Sequence, residues 1–148
     1  MFKSFSIGLL CLIAGQAAAM SAAPDFPATF TGTLPCASCE GVQSRITFQA
    51  DNTYFMSQTY LGHEGPNRAD DLGRWVISSH GNIAVLKGQR GDVSYYKLEA
   101  PDVLHMLDIE GRTILSVLNY TLRRAAQSDS FDVKLFPLNG EYQYMADA

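Results

Sequence analysis

From residue 29 onward, apolar and polar side chains alternate with a period of two, in short runs separated by turn residues. The run "TFTGTL" (29–34) predicts a first strand. In "QSRITFQA" (43–50), Ile46 and Phe48 fall on one face and Arg45, Thr47 and Gln49 on the other. Asp51-Asn52 is a turn signal, and "TYFMSQTYL" (53–61) is rich in aromatic and β-branched residues, so the pair predicts a β-hairpin. Residues 62–72, "GHEGPNRADDL", form the longest polar gap and read as a mobile loop. Beyond it the pattern resumes in "GRWVISS" (73–79), "IAVLKGQ" (83–89), "VSYYKLEA" (93–100), "VLHMLDIEG" (103–111), "TILSVLNYTLRR" (113–124) and "LNGEYQYMA" (138–146). The last part of "LNYTLRRAAQ" (118–127) is the one candidate for a helical turn or two. Arg90-Gly91-Asp92 has the composition of an adhesion tripeptide, but its turn chemistry is sufficient to read it as a hairpin turn.

Many short strands with turns between consecutive partners predict an all-β fold, a small antiparallel up-and-down barrel. Closure removes the exposed edges that an open sheet would leave. A barrel of this size is packed solid by its own side chains or holds one small ligand. Trp75, Phe48, Tyr54 and Leu86 have polar neighbours on alternating strands and are expected inside.

The first residues follow a different pattern. Lys3 precedes an apolar run from Phe5 to Ala14, and Ala17-Ala18-Ala19 supplies small residues for cleavage. Residues 1–19 therefore read as a secretory signal peptide, leaving 20–148 as one domain in the periplasm. The apolar run is too short for a spanning helix. Cys11 lies within that run, after Leu10, rather than after a small residue at its end, so the chain reads as free rather than as an outer-membrane lipoprotein. The formal net charge of -4 gives no basis for nucleic-acid binding.

Cleavage would leave two cysteines, Cys36 and Cys39, in "LPCASCEG" (34–41). A thiol-redox pair sits at a helix N-terminus that lowers its pKa; this pair follows a strand, with Glu40 beside it, which opposes a thiolate. A structural zinc site needs four ligands, and no spacing links His63, His80 or His105 to the cysteines. Two readings stay open. One is a disulfide, favoured by an oxidising compartment. The other is Cu(I) held by the reduced pair, with a residue such as Met56 completing the site. A bridge across so tight a turn opens more easily than a buried structural one. Asp70-Asp71 reads as a solvated patch. Asp108 and Glu110 lie at a turn, with no cleft to make them an acid–base pair. No other constellation carries chemistry, so the chain reads as a binding protein and not an enzyme.

"FTGTLPCASCEG" resembles the opening of the N-terminal domain of the NlpE (CutF) copper-resistance and envelope-stress family. The similarity continues through "TYLG" (59–62), "GRWV" (73–76), "SYYKL" (94–98), "HMLDIEG" (105–111), "LNYTL" (118–122) and "GEYQYMADA" (140–148), in order. The resemblance implies a lipocalin-like barrel, with Cys36 and Cys39 on the family's cysteine pair. It implies copper tolerance and activation of the Cpx pathway through a partner, the periplasmic domain of a CpxA-like sensor kinase, with no required cofactor. The alternative is a lipocalin-like carrier of a small apolar ligand, supported by the supply of 7 Tyr and 8 Phe.

Overall fold

The computed structural model describes residues 25–129 apart from 66, 80 and 81. Eight strands run in chain order: β1 (Ala28–Leu34), β2 (Gly41–Phe48), β3 (Thr53–Leu61), β4 (Arg68–Ile77), β5 (Ile83–Gly88), β6 (Val93–Ala100), β7 (Val103–Met106) and β8 (Thr121–Arg124). Each pairs antiparallel with the next, and β8 returns to β1 through Phe30 opposite Arg124, closing the barrel. This is the up-and-down, all-β architecture that the alternation predicts, and no helix occurs among the described residues.

The two-residue period fixes which side chains enter the barrel. Ala28, Phe30 and Leu34 point inward from β1, Ile46 and Phe48 from β2, Tyr54 and Met56 from β3, and Trp75 from β4. Ala84, Leu86, Tyr96, Leu104 and Leu122 complete the core from β5 to β8. Phe48, Tyr54, Trp75 and Leu86 are all inside, as expected from sequence.

The two ends of the barrel differ. Hairpin turns at 49–52 and 101–102 and the entry at Phe26 lie at one end, where aromatic rings fill the interior. Phe26 and Phe48 each meet Trp75, with centroids 4.9 and 5.4 Å away, and Phe30 meets Phe48 at 6.0 Å. The Trp75 indole N–H donates to the Gln49 carbonyl at 3.1 Å, so the ring is buried with its polar edge satisfied. Asn52 takes a left-handed φ of 65° in the β2–β3 turn, which its short polar side chain tolerates.

At the other end lie the connections 35–40, 62–67, 89–92 and 107–120. Gly91, with a φ of 85°, makes the β5–β6 turn, which is the place the Arg90-Gly91-Asp92 tripeptide occupies.

Buried residues are not confined to the interior. Thr29 and Thr47 face outward from β1 and β2, directly opposite each other, yet both are buried. Residues 125–129 run across them. The Asp129 amide donates to Thr29 Oγ1 at 2.9 Å, the two threonine hydroxyls lie 2.9 Å apart, and Arg45 Nη2 donates to Asp129 Oδ1 at 2.8 Å. The hydrogen bond to Arg45 holds the Asp129 carboxyl below its ordinary range.

Three expectations need correction. Strand β4 begins at Arg68, so residues 68–72, expected as loop, are strand paired to β3. The run 113–124 yields only the short β8. Residues 114–120 are irregular, with Leu115 and Val117 fully exposed, so apolar composition there does not signal burial. The helical turns considered at 118–127 do not form. Thr121, Leu122, Arg123 and Arg124 are in β8, where pairing with β7 and β1 satisfies their backbone. The signal segment 1–19 and the run 138–146 lie outside the described residues.

Candidate functional site

Pro35, following β1, starts the loop that carries the cysteine pair, and Gly41 ends it by entering β2. Cys36 and Cys39 stand with Cα atoms 5.3 Å apart and sulfurs at bonding distance, 2.03 Å. Both cysteines are half-buried, while Ala37 and Ser38 between them are exposed. The loop is seated against the β3–β4 connection. The Glu40 amide donates to the Leu61 carbonyl at 3.0 Å, and the Glu40 side chain lies over Gly62, whose φ is 68°. The positive φ at Gly62 favours glycine, and a Cβ there would meet Glu40 Cδ at 2.7 Å, so the exposed Glu40 side chain would have to swing aside.

This arrangement fixes what the pair can do chemically. Joined, the sulfurs offer no thiolate. Reduced, they supply two adjacent soft donors at the surface of the loop end, a set that fits Cu(I) and not a hard ion. Met56 does not complete such a site. It points into the barrel opposite Ile46 and Asp71, while the cysteine loop begins where Gly41 pairs with Leu61. Five strand residues separate the two levels, roughly 16 Å at the rise of a β-strand. Among the described residues, no group of three or more His, Cys, Asp or Glu is placed to hold a metal ion. His63 follows Gly62 in the connection that supports the loop, and it is exposed. His105 is far along the chain on β7, with Nδ1 3.2 Å from Thr121 Oγ1.

The barrel interior holds a second polar arrangement that sequence reasoning missed. Asp70 and Asp71 do not form one solvated patch. Adjacent strand residues face opposite ways, so Asp70 points out, where Arg68 Nε donates to it at 2.9 Å, and Asp71 points in. The Tyr54 hydroxyl donates to Asp71 Oδ2 at 2.6 Å. Burial, then the hydrogen bond to Asp71, raises the Tyr54 pKa strongly. Tyr96, more deeply enclosed, is pushed up to about 12 by burial. In "RADDLGRW" the polar Asp71 takes an inward position and the apolar Leu72 an outward one, so the alternation that marks a strand is broken there.

Asp108 accepts the amides of Glu110 and Arg112, each at 2.9 Å, and ion-pairs with the Arg112 side chain, as does Glu110. These carboxylates are occupied in shaping the turn.

A closed eight-stranded up-and-down barrel with a half-buried cysteine pair on one end loop defines the class of fold. The model of the NlpE N-terminal domain matches residues 30–117. The chain is 42% identical over 123 residues to Lipoprotein NlpE of Escherichia coli strain K12, a match that covers 82% of this chain and 50% of that protein. The chain therefore belongs to the NlpE family. It spans about half the length of this curated relative. The crystal structure of the Cpx pathway activator NlpE from Escherichia coli superposes with a TM-score of 0.54 at 38% identity, covering 70% of this chain and 53% of that one. A candidate lipoprotein from Shewanella oneidensis superposes with a TM-score of 0.60 at 34% identity, over 70% of this chain and 93% of that one.

Proposed function

We propose that this chain is an envelope interaction protein that reports copper or redox stress to a Cpx-type pathway. It acts by binding and not by catalysis. The observation that carries the reading is its similarity to a Cpx pathway activator over most of its described length. The cysteine pair supports the sensing part. It sits on an exposed loop braced by one neighbouring connection, so a change in its bonding changes the surface presented at that end. The partner in this reading is the periplasmic domain of a CpxA-like sensor kinase, and the location is the periplasm, reached through the signal segment 1–19.

The carrier reading is weaker. Phe26, Phe30, Phe48 and Trp75 fill one end of the interior, and Asp71 places a carboxyl group within it, which a small apolar ligand would have to desolvate.

The test pairs a Cpx-responsive reporter with direct metal binding. Cys36→Ser with Cys39→Ser should leave a folded barrel that no longer takes up Cu(I) against a competing chelator and no longer responds to added copper. Cu(I) binding as tight as that of the reduced wild type would overturn the metal role of the pair. A reporter that does not rise when the wild-type chain is overproduced would overturn the signalling role.

A further inference from the structure

The outer face of β4, β5 and β6 reads differently from the rest of the surface. Strand register assembles it in three rows. Arg74 stands opposite Lys87, which stands opposite Val93. Val76 stands opposite Val85, which stands opposite Tyr95. Ile83 stands opposite Lys97, which stands opposite His105 on β7. Val76 is 55% exposed and Val93 41%, and both Arg74 and Lys87 are exposed. The face thus has an apolar centre with cations above and below it. Among the described residues, none of Arg74, Lys87 and Lys97 is ion-paired. The arrangement is costly for folding. Arg74 and Lys87 are like charges directly opposite on paired strands, a placement that destabilises a sheet. It is also out of character for a chain whose net charge is -4.

We propose that this face is the docking surface for the protein partner, and that the partner presents carboxylates flanking an apolar or aromatic residue. The inference rests on the interaction reading above and adds to it the surface and its chemistry. Charge complementarity supplies the argument. Among the described residues these cations have no ion-pair partner, so an acidic partner provides one and removes the repulsion between Arg74 and Lys87. The valines and Tyr95 give that partner an apolar centre to cover, which ion pairs exposed to solvent would not by themselves hold. A protein fits better than an anionic membrane. Asp92, just before β6, and Glu99, near its end, are exposed. A planar phosphate surface would have to approach both, while an acidic segment can lie between them.

Binding of the full secreted chain to the isolated periplasmic sensor domain tests this. The variants are Arg74→Glu with Lys87→Glu, and as a control Leu115→Asp on the β7–β8 connection, a side chain that is 95% exposed. The charge reversal should weaken binding by roughly ten-fold or more and flatten its dependence on salt, as the loss of a complementary charged surface requires. Near-UV circular dichroism should show both variants folded, and the control should bind like wild type. If wild type binds and the reversal binds equally well, the face is not the interface, although the interaction reading stands. If wild type does not bind, both readings fall. If instead wild type binds vesicles containing phosphatidylglycerol and the reversal abolishes that, the face reads a membrane and the protein partner is overturned.

Discussion

The Tyr54 hydroxyl donates to Asp71 Oδ2 at 2.6 Å across the β3–β4 pair, placing a carboxyl group and its partner inside a barrel of predominantly apolar side chains. Asp71 is partly buried, and an acceptor withdrawn from water is tolerable while it is hydrogen-bonded and costs stability once its donor is removed. Tyr54→Phe keeps the ring, which is 1% exposed, and deletes only the donor. It should destabilise the fold by about 1.5–3 kcal/mol, the worth of a hydrogen bond to a charged group. Urea unfolding is the measurement. In an Asp71→Leu background the same change should cost much less, because no acceptor is left stranded. An equal loss in both backgrounds would show that the hydrogen bond contributes nothing.

Two glycines make room for that pair. A Cβ at Gly73 would meet the Tyr54 ring at 2.8 Å and would also run into the Lys87 carbonyl, while one at Gly88 would run into the Asp71 carboxylate. Backbone cannot step aside as a side chain can. Gly73→Ala should therefore unfold the barrel or cost at least about 3 kcal/mol, as severe overpacking does. Gly88→Ala should be rescued in large part by Asp71→Ala, and a double-mutant cycle should return a coupling of about 1 kcal/mol or more.

How much of this was legible follows from one physical fact, that a strand announces itself only where its two faces differ. Residues 53–61 and 93–100, rich in aromatic and β-branched side chains, form β3 and β6 with the bounds the sequence predicts. Strand β4 opens with "RADDL", where the inward positions are Ala69 and Asp71. A carboxylate that enters the core looks like loop until its partner Tyr54 is known. Residues 114–118 mislead the other way, since Leu115 and Val117 are apolar and fully exposed. Cys36 and Cys39 were evident from spacing alone, but the distance of Met56 from them depended on the β2–β3 register. The Arg74–Lys87 juxtaposition depended on the β4–β5 register in the same way.

The aromatic end of the core should be the part of the barrel least tolerant of truncation. Phe48 touches both Phe30 and Trp75 edge-on and is 4% exposed. Phe48→Ala should cost about 3–5 kcal/mol. The cysteine bridge closes so short a loop that its removal should cost about 2 kcal/mol at most. In urea, the Phe48→Ala midpoint should therefore fall well below that of the double cysteine variant, and a reversed order would mean that the loop and not the core holds the fold.

Stability should fall as the solution becomes strongly alkaline, because of the enclosed tyrosines. A tyrosine is neutral when protonated, and burial favours the neutral form. Tyr96 keeps its proton in the folded barrel to about pH 12, against 10.0 for an unburied phenol, and Tyr54 shifts in the same direction. Between these values the unfolded chain has released protons that the folded chain still binds, so raising the pH draws the equilibrium toward the unfolded state. Below pH 10 both states hold the proton, and these groups contribute no slope. Each tyrosine should remove up to about 1.4 kcal/mol per pH unit once the unfolded phenol has ionised. Urea midpoints at pH 9, 10 and 11 should be flat at first and then drop. Tyr96→Phe should lessen the drop, since phenylalanine has no proton to lose, even if its midpoint at pH 9 is somewhat lower. A pH profile as steep in Tyr96→Phe as in wild type would place the alkaline sensitivity elsewhere in the chain.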